Sequence, residues 1–140
     1  MSILAQIPTL FFLFIGYNAL VFLTPGDFQQ LSVTLAEPLI GPITMMSGAK
    51  FAVTWADTFI ALGVVLLYIE IFKSTRSSAS SMIELSFSLI VFIAFLVEFL
   101  LFEKAGTSTF MILTLMQLID VMSGFTVMVS TARRDFTIDH

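Results

Sequence analysis

Residues 108–130 read STFMILTLMQLIDVMSGFTVMVS. The stretch is almost wholly apolar, and its length of about 23 residues lets a helix cross a bilayer core of roughly 30 Å. Asp120 lies near its midpoint, with Gln117 one turn before it and the small pair Ser123–Gly124 one turn after it. A charged carboxylate at that depth costs roughly 2.5–3.5 kcal/mol on insertion scales. We therefore expect Asp120 to be protonated, or to face protein or water and not lipid.

The composition of the whole chain is also that of a membrane protein. Of 140 residues, 58% are hydrophobic and 11% are charged, whereas soluble domains carry about 25% charged residues. A soluble domain of this size could not bury so much apolar surface, so we expect lipid to be the solvent. One membrane domain covering residues 1–140 is the natural interpretation.

Three further apolar runs predict helices that cross the membrane beside this one. The predicted spans are residues 3–24, 51–72, 82–102 and 108–130, which makes the chain an all-α integral membrane protein with four transmembrane helices. The first run has no Lys or Arg before it and no small-residue cleavage pattern after it, so we interpret it as a retained helix and not as a signal peptide.

Residues 25–50 form a connection that is unusually apolar for a loop. Asp27 and Gln30 have the spacing of a capping box, which predicts an amphipathic helix lying in the membrane interface. Pro38 and Pro42 then predict a kinked apolar segment, with a re-entrant hairpin as the alternative, and Ser47 is the predicted N-cap of the second span.

Polar residues inside the predicted spans are the candidate functional residues. Asn18 is expected to make an interhelical hydrogen bond, and Glu70 to form a local surface ion pair with Lys73. The remaining intramembrane candidates, for helix contacts or an ion path, are Asp120, Gln117, Glu98, Asp57, Asn18, Ser123 and Gly124. Three interpretations stay open: hydrogen bonds that hold helices together, a cation or proton path through Asp57, Glu98, Gln117 and Asp120, or docking of a basic residue from another membrane protein.

Several function classes are disfavoured by the residue inventory. The formal net charge of −4 gives no basic face for nucleic acid. The chain has no Cys, and its one histidine is His140, so Cys- or His-based catalysis and metal ligation are not expected. Since no nucleophile–base pair is visible, we expect neither an enzyme nor a cofactor.

The run VFIAFLVEFLLFEKAGTSTFMILTLMQLIDVMSGFTV at residues 91–127, followed by ARRDF at 132–136, resembles a group of short, uncharacterised four-span inner-membrane proteins of Gram-negative bacteria. The resemblance implies a bacterial inner membrane and brings no established activity. It also implies that Glu98 and Asp120 belong to the pattern of that group.

Basic residues predict the orientation of the chain in the membrane, and the expected function follows from the features above. Lys73 and Arg76 lie on the same side as Arg133 and Arg134, against Lys50 and Lys104 on the other, so the positive-inside rule predicts cytoplasmic termini. We expect a non-enzymatic building block that contacts membrane lipids and either forms a homo-oligomer or is an accessory subunit of a larger membrane complex. The alternative is a cation- or proton-conducting oligomer that uses Asp57, Glu98 and Asp120.

Overall fold

A computed structural model describes residues 3–76 and 81–138, without the side chain of Ser81; His140 lies outside these ranges. About 78% of the described residues are helical. Short 3-10 helices cover Ile3–Gln6 and Glu103–Ala105. The elements in chain order are α1 (Thr9–Leu23), α2 (Phe28–Ala36), β1 (Pro38–Thr44), β2 (Lys50–Thr54), α3 (Trp55–Ser74), α4 (Ser81–Leu101) and α5 (Ser108–Ile138).

Three of the described helices are long and apolar enough to cross a membrane, namely α3, α4 and α5. The predicted first span is instead broken at Pro8, which precedes α1 as its N-cap and follows the 3-10 turn. Proline lacks an N–H and clashes with the preceding helical turn, so a single helix from residue 3 to residue 24 does not form. The 15 residues of α1 extend for about 22 Å, which is less than the bilayer core.

The connection between α1 and α3 differs from its prediction. The capping interaction at Asp27 is present, since its side chain accepts from the Gln30 N–H and α2 follows. The kinked apolar segment, however, is an antiparallel β-hairpin of β1 and β2. Ser47 lies in the hairpin loop and does not cap a helix, and α3, the helix of the second predicted span, begins at Trp55 and not at residue 51.

The bundle core is aromatic and is formed by the four apolar helices α1, α3, α4 and α5. Tyr17 of α1 contacts the rings of Phe59 on α3 and Phe110 on α5, with centroids 5.2 and 5.3 Å apart. Phe95 of α4 lies 5.4 Å from Phe110, and both are fully buried. Close packing of α3 depends on Gly63, because a Cβ there would lie 2.7 Å from a sulfur atom on α5.

Candidate functional site in the helix bundle

The end of the bundle where α1 begins and α3 ends is organised by Glu70. Its Oε2 accepts from the Thr9 backbone N–H at 2.9 Å and from the Thr9 hydroxyl at 3.0 Å. Its Oε1 accepts from Lys73 Nζ at 3.1 Å, which confirms the predicted ion pair. The pair is not at the surface as predicted: Glu70 is buried, because its carboxylate satisfies a free N–H in the first turn of α1 and complements the helix dipole.

Lys104 serves the opposite end of α1. Its Nζ donates to the Thr24 carbonyl at 3.1 Å, just past the last helical residue. A cation at a helix C-terminus is stabilising for the same reason that an anion is at the N-terminus. The short helix α1 therefore has a negative charge at its N-terminus and a positive charge at its C-terminus, and both come from other parts of the chain.

Asp120 and Gln117 lie between α5 and α4. Asp120 is 3% exposed and Gln117 is fully buried. Gln117 Nε2 donates to the Ser88 carbonyl of α4 at 3.0 Å and to Asp120 Oδ2 at 3.2 Å. Gly124 faces the same neighbour, since a Cβ there would lie 3.4 Å from Leu85. These contacts are the arrangement expected of residues that hold two helices together.

A small cavity of about 20 Å³ adjoins Asp120. That volume is sufficient for one water molecule with polar partners. Its polar lining comes from three helices and consists of Glu70, Ser74, Glu84, Ser88 and Asp120. Within residues 3–76 and 81–138, no three acidic or histidine side chains are placed to hold a metal ion.

Glu98 and Asn18 form a second interhelical contact toward the other end of the bundle. Asn18 Nδ2 donates to Glu98 Oε2 at 3.0 Å, so Asn18 makes the interhelical hydrogen bond expected of it. Beside them, the buried Tyr17 hydroxyl bonds the Thr107 hydroxyl, which also accepts from the Phe110 N–H and so caps α5. Among the described side chains, Asn18 Oδ1 and Glu98 Oε1 here, and Gln117 Oε1 in the first contact, are buried without a hydrogen-bond partner.

Asp57 belongs to neither contact. It lies in the first turn of α3, where it forms a capping box with Thr54: its Oδ2 accepts from the Thr54 N–H at 3.0 Å, and its own N–H donates to Thr54 Oγ1 at 3.2 Å. Asp57 is exposed. Because α3 begins at Trp55 and not at residue 51, Asp57 lies in the first turn of the helix and not further inside it, as the predicted span 51–72 implied.

The candidate residues therefore fall into separate contacts. Gln117, Asp120 and Gly124 lie together, and Ser123 donates to the Asp120 carbonyl of its own helix at 2.9 Å. Glu98 is near the end of α4, whereas Asp120 is 12 residues into antiparallel α5, which separates them by about 13 Å along the bundle axis.

The pattern of the sequence did not indicate Ser88 or Thr9 as partners, because a carbonyl acceptor and a helix-start hydroxyl carry no distinctive spacing.

No protein-family model, curated protein or solved structure matches this chain. Any functional assignment therefore depends on its own residues and geometry. The resemblance of residues 91–127 to a group of bacterial inner-membrane proteins stays a prediction.

Proposed function

We propose that this protein is a multi-pass integral membrane protein that acts as a non-enzymatic building block of a membrane assembly. Support for the membrane location comes from α3, α4 and α5, whose length and composition suit a bilayer. Their apolar side chains are largely on the outside of the bundle; Leu62, Val65, Ile90 and Leu115 are about half exposed. In water such a surface would be strongly unfavourable, whereas lipid solvates it.

The proposed orientation has four membrane-crossing segments and both termini in the cytoplasm of a bacterial cell. The short α1 is included because it packs against α3 within the bundle. Lys73, Arg76 and the Arg133–Arg134 pair then lie on the cytoplasmic side, in agreement with the positive-inside rule. The bacterial inner membrane is proposed from the resemblance of residues 91–127 and 132–136.

The β-hairpin is the observation that carries the assembly proposal. Strand β1 is exposed along its whole length and β2 is exposed over its first three residues, and Ile40, Ile43 and Phe51 are each about half exposed. An isolated two-stranded hairpin is at best marginally stable in water and leaves two strand edges unpaired. A partner that covers these side chains and one edge would remove both liabilities.

The proposed occupant is a second copy of the chain, paired through β2. Strand β1 contains Pro38 and Pro42, which cannot donate to a ladder, whereas β2 has no proline. Antiparallel pairing of two β2 strands centred on Ala52 would place Phe51 opposite Val53, an aromatic–β-branched pair of the favourable kind. It would also keep the two Lys50 ammonium groups from lying directly opposite each other.

The test is the mass of the purified protein in nanodiscs or mild detergent. Wild type is expected as a defined homo-oligomer, and Phe51→Lys is expected to shift it toward monomer because it buries charge at the interface. Met46→Lys is the matched control, since Met46 is fully exposed in the hairpin loop beyond the strands. A monomeric wild type would overturn self-assembly. A monomer that co-purifies stoichiometrically with a larger membrane protein would favour the accessory-subunit alternative instead.

The other candidate is a cation- or proton-conducting oligomer that uses Asp57, Glu98 and Asp120. It has less support, because Asp57 caps a helix and the other two acids have separate partners. The test is proton flux into liposomes, followed with a pH-sensitive dye. A flux that Asp120→Asn abolishes would favour conduction over the building-block role.

A further inference from the structure

An apolar groove of about 500 Å³ lies at the end of the bundle where α1 begins and α3 ends. Its apolar lining comes from the N-terminal 3-10 segment and the two helices: Leu4, Ala5, Ile7, Phe12, Ile69 and Phe72. The volume is in the range of ligand sites, roughly 300–1,000 Å³. The groove opens on the outside of the bundle, where the proposed membrane location puts lipid.

The rim of the groove is polar and charged. Lys73, Arg76 and Glu84 line it together with the apolar side chains. Lys73 Nζ is already paired with Glu70 at 3.1 Å. Of the described residues that line the groove, Arg76 is therefore the basic one whose charge is available to a ligand. The Arg76 guanidinium lies over the Phe72 ring at 4.6 Å from its centroid, which orients it at the mouth of the apolar groove.

We propose that this groove binds one phospholipid, with an acyl chain along the apolar lining and the phosphate diester at Arg76. Guanidinium groups bind phosphate through paired N–H donors. A basic residue beside a groove between membrane helices on the cytoplasmic side is suited to a lipid headgroup. The inference rests on the proposed membrane location but not on self-assembly through the hairpin.

The test is native mass spectrometry of the detergent-solubilised full chain after equilibration with phosphatidylglycerol or with diacylglycerol of the same acyl chains. We expect one phosphatidylglycerol to be retained per protomer and diacylglycerol to be retained at least several-fold less. Arg76→Gln is expected to reduce phosphatidylglycerol retention several-fold. Arg133→Gln, an exposed arginine on the proposed same side, is the matched control and is expected to retain it.

A second variant tests the acyl-chain part of the site. Ala5→Trp would fill the groove at a residue that is exposed, so the fold should tolerate it, and retention of both lipids is expected to fall. Equal retention of phosphatidylglycerol by wild type and Arg76→Gln would overturn the proposal, as would equal retention of the two lipids by wild type. Carbonate extraction of membranes from the same cells tests the membrane location separately from lipid binding. A protein that carbonate releases is not integral, whereas a protein that stays in the membrane but does not retain the lipid contradicts the lipid site alone.

Discussion

Replacement of Gly63 by alanine sets two effects of known size against each other. The new Cβ would lie 2.7 Å from Met116 Sδ, 3.0 Å from Leu113 Cδ2 and 3.3 Å from Leu13 Cδ2. The Met116 side chain can rotate away, but Leu113 is fully buried in the core. Overpacking of this kind costs about 1–3 kcal/mol, whereas alanine gains about 1 kcal/mol in helix propensity over glycine. The expected net result is a loss of about 0–2 kcal/mol, and a larger loss for Gly63→Val.

Gly16→Ala is the matched control on α1. Nothing lies within 4 Å of a Cβ at Gly16, and the position is exposed. Only the propensity effect of up to about 1 kcal/mol therefore acts, and this variant should be slightly stabilised. Reversible unfolding in mixed SDS micelles, followed by fluorescence of the single Trp55, measures both variants. If Gly63→Ala were stabilised as much as Gly16→Ala, the close approach of α3 to α1 and α5 would be wrong.

Three further predictions use the same unfolding assay. Asp120→Asn should leave stability nearly unchanged, because an amide can accept from Gln117, whereas Asp120→Leu should lose about 0.6–2 kcal/mol; equal losses would contradict a hydrogen-bonding role. Lys104→Met should lower the free energy of unfolding by about 0.5–1.5 kcal/mol, because the hydrogen bond to the end of α1 is lost. Lys50→Met in the exposed hairpin should leave the free energy of unfolding unchanged. Glu70→Leu should lose about 1–3 kcal/mol because it leaves buried donors unpaired, and a neutral result would show that the cap of α1 is unimportant.

The apolar runs predicted part of the fold well. α4 and α5 begin within one residue of the predicted spans, because a long uninterrupted apolar run has few alternatives to a helix. Capping by Asp27 was also predictable, since that motif acts over three residues.

The hairpin was missed because its prolines and apolar residues hide the alternation typical of strands. Ser47–Gly48, between runs that contain Ile43 and Val53, was the available turn signal, and Gly48 has the positive φ of +85° that such a turn needs. The error carried over to Asp57, because a span that begins at residue 51 places Asp57 inside the helix, whereas α3 begins only at Trp55. A helix start that follows a strand directly leaves little trace in hydropathy.

The contacts of the candidate site were only partly predictable. Asn18 and Asp120 were identifiable as polar residues in apolar surroundings, which must find partners. Their partners were not identifiable, because periodicity fixes the face of a helix but not which neighbour that face meets. The capping of α1 by Glu70, 61 residues away, is a contact of this kind.

The most direct test of the membrane-spanning account is thiol labelling of single cysteines in this Cys-free chain. Ser47→Cys lies in the hairpin loop and Thr75→Cys follows the end of α3, and both positions are exposed. In intact cells with a permeable outer envelope, an impermeant maleimide should label residue 47 at once and residue 75 only after the inner membrane is permeabilised. Labelling of both positions from the same side would contradict the crossing of the membrane by α3.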